Sequence, residues 1–195
     1  SFSMNNRISL TAQAHSIIEQ HLHVGDMAID ATTGNGHDTL FLAKQVGTSG
    51  KVFGFDLQQQ AIDSTQSRLK DEGFADNTQL FLSSHSNMQQ CIDADFYGKI
   101  KVIMFNLGYL PGSDKSIITE TESTLNALEQ AIELLIKSGI LTIAAYPGHP
   151  GGDTETQAIE QWHQQLDGQQ YSVKTFYSSE KDTAPRLYII QKHGY

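Results

Sequence analysis

Asn106-Leu107-Gly108-Tyr109-Leu110-Pro111-Gly112 is the stretch of this chain best suited to chemistry on a nitrogen. It directly follows Lys101-Val102-Ile103-Met104-Phe105, an apolar run that reads as a buried strand. An Asn, a small turn and an aromatic at the carboxyl end of a strand form a site for an amino group. The Asn106 side-chain oxygen and the Leu107 carbonyl accept two N–H bonds, leaving the nitrogen lone pair aimed elsewhere. Tyr109 packs against a planar base. A second loop, Asp30-Ala31-Thr32-Thr33-Gly34-Asn35-Gly36, indicates what the lone pair faces. Its glycines allow close backbone approach and positive φ. A dinucleotide-binding fold places a third glycine three positions after the second, and here that position is Thr39. The loop therefore favours S-adenosylmethionine, a ligand without a pyrophosphate, over NAD. Together the two loops read as a methyltransferase acting on nitrogen. The plainer reading of the same residues is a Gly-Pro turn with Asn as a local cap, beside a glycine pair that packs strand on helix.

The candidate cofactor contacts along the first loop are Asp30, Thr32, Gly34, Asn35, Gly36, His37 and Asp38. Asp30 would take the methionine ammonium, directly or through water. Asp56 lies 20 residues beyond Gly36, and a carboxylate there accepts both ribose hydroxyls; Gln58 follows it. Ser84, His85 and Ser86 would flank the adenine. Asn106 faces the same cofactor. On the substrate side stand Tyr109, Lys115 as a phosphate contact, and Tyr146 and His149 in Tyr146-Pro147-Gly148-His149-Pro150-Gly151-Gly152. His149 orients substrate or shuttles a proton, because its reference pKa lies near neutrality. His15 and His37 read as helix packing or capping, and His163 and His193 as surface residues. His21-Leu22-His23 has no acidic or Cys partner at ligand spacing, so no metal is expected.

Strand-like and helix-like segments alternate along the chain, the pattern of a parallel sheet covered by helices. Leu10, Ala14, Ile17, Ile18, His21 and Leu22 open it at helical spacing. The spacing predicts strands over 27–31, 51–56, 79–83, 101–106 and 139–146. It predicts helices over 37–46, 59–71, 119–137 and 154–166. Gly139 is expected to end the helix before it as a left-handed cap. Strands over 171–177 and 186–191 have no helix between them and should pair antiparallel at one edge. The expectation is one α/β domain over 1–195, a Rossmann-like class I methyltransferase fold. Its seven-stranded, mostly parallel sheet would end in an antiparallel hairpin. Ligands of such sheets sit outside the carboxyl ends of the strands, where Asp30, Asp56, Ser84 and Asn106 fall.

The formal charge of −9, with only 13 Lys and Arg, argues against broad nonspecific binding to nucleic acid. Any RNA partner must be held by a small basic patch, with Lys115, Arg186 and Lys181 as candidates, or by shape. A single cysteine, Cys91, excludes an internal disulfide and fits a reducing cytoplasm as a structural thiol. No apolar run reaches the roughly 18 residues of a membrane span, and no secretion signal is visible. Ser1-Phe2-Ser3 ahead of Met4 reads as an expression remnant.

The segments Asp30 to Thr39, Phe105 to Gly112 and Tyr146 to His149 resemble the three signature segments of the rRNA methylase family, the YtqB-like proteins. The resemblance runs over nearly the whole chain. It implies an S-adenosylmethionine-dependent enzyme, often a homodimer. Family members of the MnmM type methylate the aminomethyl nitrogen of 5-aminomethyl-2-thiouridine at the tRNA wobble position, so the anticodon arm of tRNA is the partner implied. An rRNA or small-molecule amine acceptor is the alternative. One departure is Ser113, where a second glycine after Gly112 is typical of the family.

Overall fold

Apolar residues sort this chain by period. Alternate residues of a strand point to opposite faces of a sheet, so a strand buried on both faces is apolar throughout, whereas a helix against it is apolar on one stripe. The computed structural model describes residues 9–108 and 117–194. In chain order its main elements are α1 (Leu10–Glu19), β1 (Met27–Asp30), α2 (His37–Val46), β2 (Lys51–Asp56), α3 (Gln59–Glu72), β3 (Thr78–Leu82) and α4 (Met88–Cys91). They continue with β4 (Ile100–Asn106), α5 (Ile117–Leu134), β5 (Leu135–Ala145), α6 (Gly152–Gln164), β6 (Tyr171–Tyr177) and β7 (Arg186–Lys192).

The strands form one seven-stranded sheet in the order β3-β2-β1-β4-β5-β7-β6. Pairing is parallel from β3 to β5, and β7 runs antiparallel to both β5 and β6. This is the predicted Rossmann-like α/β architecture with its reversed hairpin. The chain works outward from β1 to β3 and then returns to β4 on the other side of β1. The switch point thus opens between β1 and β4, with Asp30 and Asn106 at their carboxyl ends.

Both faces of the sheet are covered. Val52, Val102 and Met104 face a layer built from Ala14 and Ile18 of α1, Leu42 and Val46 of α2 and Leu69 of α3. Phe53, Phe55, Ile103 and Phe105 face the other layer, with Met88 of α4, Leu128 of α5 and Ile159 and Trp162 of α6. Strand neighbours in sequence enter opposite layers, as the period of two requires.

Four expectations need correction. Helix α1 stops at Glu19, before His21, whose Nδ1 lies 3.0 Å from the Ile17 carbonyl; Leu22 is buried beyond the helix end. Helix α5 stops at Leu134 and does not reach Lys137, because Leu135 pairs with Ile100 as the first residue of β5. Gly139 is no left-handed cap. Ser138 holds the positive φ, 76°, and Gly139 sits in β5, where the register against β4 shifts. A Cβ at Gly139 would lie 2.8 Å from the Ile136 carbonyl oxygen, so the requirement there is close approach. His163, read as a surface residue, has a side chain 13% exposed, with Nε2 3.1 Å from Glu160 and its ring 5.1 Å from Tyr188.

Candidate functional site

The first loop is built by the sheet edge it leaves. Strand β1 ends at Asp30, and the Ala31 N–H still donates to the Met104 carbonyl at 2.8 Å. The backbone then turns away, with Thr33 N–H donating to the Phe55 carbonyl and Gly36 N–H to the Thr33 carbonyl. Gly34 and Gly36 adopt φ of 52° and 85°, a region costly to side chains. They differ in surroundings. A Cβ at Gly36 would lie 2.9 Å from Thr65 of α3, whereas one at Gly34 would meet nothing nearer than 4.0 Å. Thr65 donates to the Gly34 carbonyl and Arg68 to the Asn35 carbonyl, so α3 braces the loop from below.

Asp30 is 1% exposed. Its carboxylate accepts from the Thr32 N–H at 3.1 Å and from the Thr39 hydroxyl at 2.7 Å. Burial pushes its pKa up to about 7, with repulsion from Asp38 and Asp56 added and these two hydrogen bonds opposing. Each oxygen accepts one of these bonds, and with the carboxyl only 1% exposed a water-mediated contact with an ammonium fits this conformation better than a direct one. Thr39 was read in the sequence only as a missing third glycine. Its buried hydroxyl ties the first turn of α2 to the carboxyl that closes β1. A hydroxyl in the first turn of the helix after a strand-ending Asp was the signal for it.

Asp56 closes β2 and accepts from Gly34 N–H at 3.0 Å and Gln58 N–H at 2.9 Å. These two bonds fix the plane of the carboxylate, and each oxygen retains a second lone pair. The side chains of Asn35 and His37 are exposed. Asp38 turns toward α1, with Oδ1 2.7 Å from His15 Nε2, and the His15 ring stacks on Phe41 at 3.8 Å. His15 is thus the packing residue it was expected to be.

Past β3, the Ser84 hydroxyl accepts from Ser86 N–H and caps a single 3-10 turn. His85 Nδ1 lies 3.2 Å from the Ala31 carbonyl, and its ring is tilted 5.3 Å from Phe105. Burial lowers the imidazole pKa to about 4 against the pull of Ala31 and Asp56. A carbonyl only accepts, so neutral His85 carries its proton on Nδ1. Gln130 of α5 latches this turn: its oxygen accepts from Gln89 N–H at 2.9 Å and its amide donates to the Ser86 carbonyl. Nothing in the local sequence announced Gln130, because it acts from 44 residues away.

At the end of β4 the Asn106 side chain is exposed, and its N–H donates to Thr32 Oγ1 at 2.7 Å. The Leu107 N–H donates to the Ala144 carbonyl at 2.9 Å. A Cβ at Gly108 would lie 3.5 Å from Asn106 Oδ1 and 3.6 Å from the Tyr146 ring. The asparagine oxygen and the aromatic therefore flank one glycine. An open cavity of about 380 Å³ adjoins them, lined by Gly108, Tyr146, Gly148, His149, Thr183 and Pro185. Burial, with Asp38 second, raises the pKa of the Tyr146 phenol and keeps it neutral. His149 Nδ1 lies 3.1 Å from the Pro150 carbonyl. Tyr109 and Lys115 lie outside the described residues. Arg186, a candidate for a basic rim, is committed elsewhere. Its guanidinium donates to the Asp182 and Ala184 carbonyls, sits 3.8 Å from Glu160 and covers the Tyr177 ring at 4.9 Å. Lys181 is exposed.

Among the described residues no three His, Cys, Asp or Glu converge as a metal site, and no helix is long and apolar enough to cross a membrane. A glycine loop open at Gly34 and a fixed carboxylate beside it fit a nucleoside bearing a diol. Thr39, locked onto Asp30, fills the position that a pyrophosphate loop keeps as glycine.

Comparison with known proteins agrees with this geometry. The family described as "Putative rRNA methylase" matches residues 52–192. A chloroplastic tRNA (mnm(5)s(2)U34)-methyltransferase of Arabidopsis thaliana is 36% identical over 195 residues, covering 95% of this chain and 70% of the relative. The crystal structure of a protein from Clostridium thermocellum described as a "putative rRNA-methylase" superposes with a TM-score of 0.87 at 38% identity, covering 96% of this chain and 99% of that one. A protein from Streptococcus mutans described as "a putative methyltransferase" and solved with S-adenosylhomocysteine superposes at 0.82 with 32% identity, covering 95% and 99%. With its switch-point loops and this likeness over nearly its whole length, the chain belongs to the rRNA methylase family and is an S-adenosylmethionine-dependent methyltransferase.

Proposed function

We propose that the acceptor is the aminomethyl nitrogen of 5-aminomethyl-2-thiouridine at the wobble position of tRNA. The observation that carries this reading is the meeting of Asn106 Oδ1, Gly108 and the Tyr146 ring beside a cavity of about 380 Å³. The name of the Arabidopsis relative gives the corresponding acceptor for that protein. S-adenosylmethionine supplies an electrophilic methyl on a positively charged sulfur, with a neutral thioether as leaving group. Asp56 accepts the ribose hydroxyls, and the backbone at Gly34 and Gly36 leaves room for the nucleoside. Ser84, His85 and Ser86 border the adenine, with His85 contributing no charge. Asp30 reaches the methionine ammonium through water.

Asn106 Oδ1 and the Leu107 carbonyl take two N–H groups of the acceptor and so aim its lone pair. An aliphatic amine is largely protonated at neutral pH, and only its neutral form attacks. The acceptor must therefore give up a proton to solvent before it attacks, and the site selects its neutral form by holding two N–H groups and leaving the lone pair free. His149 turns Nδ1 to the Pro150 carbonyl and buries Nε2, so it shapes the cavity wall and the departing proton leaves to water, while Tyr146 packs against the acceptor. Tyr109 and Lys115 complete the substrate contacts with the base and a phosphate. Catalysis of this kind is mainly positioning.

The test is methyl transfer from labelled S-adenosylmethionine to tRNA carrying 5-aminomethyl-2-thiouridine, read by nucleoside mass spectrometry. The expected product is 5-methylaminomethyl-2-thiouridine. A small-molecule amine is the second reading, favoured by the charge of −9 and by the engagement of Arg186 within the fold. No transfer to the tRNA, with cofactor binding intact, would favour it. The ribose role of Asp56 has its own check. Asp56→Ala should weaken S-adenosylmethionine binding about 10- to 100-fold, the loss expected for hydrogen bonds to a charged acceptor. Unchanged affinity in titration calorimetry would remove Asp56 from the site.

A further inference from the structure

The exposed end of β4 has a hydrogen-bond problem that the main chain does not solve. Successive N–H groups of a strand point to alternate sides. The Leu107 N–H points toward β5 and finds the Ala144 carbonyl at 2.9 Å. The Asn106 N–H points toward β1, but β1 has ended at Asp30 and its backbone has left the sheet. A side chain takes over, and Thr32 Oγ1 lies 2.7 Å from the Asn106 nitrogen. Thr32 is itself held, because its own N–H donates to buried Asp30 at 3.1 Å. A continuous run of bonds thus joins the Thr39 hydroxyl, the Asp30 carboxyl, Thr32 and the backbone of Asn106.

We propose that Thr32 is a positioning residue, whose hydroxyl completes the sheet at Asn106 and so fixes the amine acceptors relative to the glycine loop that carries the methyl donor. This rests on the assignment of Asn106 and the Leu107 carbonyl as those acceptors. Thr32 and the glycines share one loop, so its hydroxyl sets the separation between the two halves of the reaction. Water can satisfy the Asn106 N–H at an exposed strand end, but a mobile water does not fix its height. Losing the hydroxyl therefore costs little stability and much turnover, since a misplacement of about 1 Å lowers rates roughly 100-fold.

The experiment compares wild type, Thr32→Val and Thr32→Ser in three measurements. These are hydrogen exchange at the Asn106 amide without cofactor, S-adenosylmethionine affinity by calorimetry, and kcat and KM for methyl transfer to tRNA carrying 5-aminomethyl-2-thiouridine. Thr32, read in the sequence as a cofactor contact, has its hydroxyl turned to the Asn106 N–H instead, so in Thr32→Val the Asn106 amide should exchange at least about tenfold faster and kcat should fall about 10- to 100-fold, with cofactor affinity kept within about threefold. Thr32→Ser retains the oxygen and should restore both. A kcat unchanged in Thr32→Val, or cofactor affinity lost in parallel with kcat, overturns the proposal. An unchanged exchange rate refutes the bond whatever the acceptor is. A wild type silent toward this tRNA with a faster-exchanging variant refutes the acceptor, and with it the catalytic consequence, while leaving the bond itself in place.

Discussion

Replacing Asn106 with alanine should lower kcat by about 100- to 1,000-fold, the usual loss when one preorganised polar group is removed at a reacting centre. The side chain is exposed at the end of β4 and supports no packing, so stability should stay within about 0.5 kcal/mol. Its backbone bonds to Thr32 survive the substitution. Affinity for S-adenosylmethionine should remain within about threefold, because what is lost is aim at the acceptor and not the fixed carboxylate of Asp56. Single-turnover rates and calorimetry on one preparation separate these effects. A variant with near-normal turnover would mean that Asn106 only ends its strand.

Asp30 should take stability from the unliganded fold as pH rises from about 4 to about 7, while buried His85, lowered from 6.5 to about 4, adds stability over most of the same range and offsets it in the wild type. Asp30 is buried, and its pKa is pushed from 3.8 up to about 7. In that window the folded chain keeps a proton that the unfolded chain has released. The Asp30 contribution to unfolding free energy then falls with rising pH, by up to about 1.4 kcal/mol per pH unit, and levels off above about pH 7; comparison with a variant that keeps His85 isolates it. The full penalty is about 4 kcal/mol, an order-of-magnitude figure. Asp30→Asn removes the titration and keeps partners, since its oxygen accepts from Thr32 N–H and its amide donates to Thr39. The variant should therefore gain on wild type by about 2–3 kcal/mol between pH 5 and pH 8 in urea unfolding. A difference equal at both pH values would show that Asp30 does not titrate in this window.

Much of the sheet is legible in residue order, and the reasons are local. Gly47 and Gly50 bracket the turn between α2 and β2, so both elements run as predicted, over His37–Val46 and Lys51–Asp56. The hairpin of β6 and β7 is legible because no helical pattern separates two alternating runs. The α5–β5 junction is not, since Leu135 continues the apolar stripe of the helix and equally suits a strand beside Ile100. The segment between β3 and β4 holds only single turns and the four-residue α4, too short to show a period. In the site, Gly34, Asp56 and Asn106 stand at strand ends that the alternation of elements already implies. Gln130 and the second role of Thr32 depend on contacts between distant segments, which spacing does not reveal, whereas the Thr39 hydroxyl, nine residues after Asp30, was within reach of a local reading.

The end of α5 is closed from far away. The Lys192 ammonium of β7 donates to the carbonyls of Ile132 and Leu135, the first of them 60 residues earlier. The Ile132 carbonyl, in the last turn, has no partner within its own helix, and a cation there also meets the negative end of the helix dipole. During synthesis α5 therefore precedes the residue that finishes it. Its last turn lacks this cap until β7 has been made and inserted between β5 and β6. The order of assembly follows: the half of the sheet from β3 to β4 can close on α2 and α3 first, and the α5–β5 junction gains its cap, as α1 gains its partner strand, only when β7 is in place.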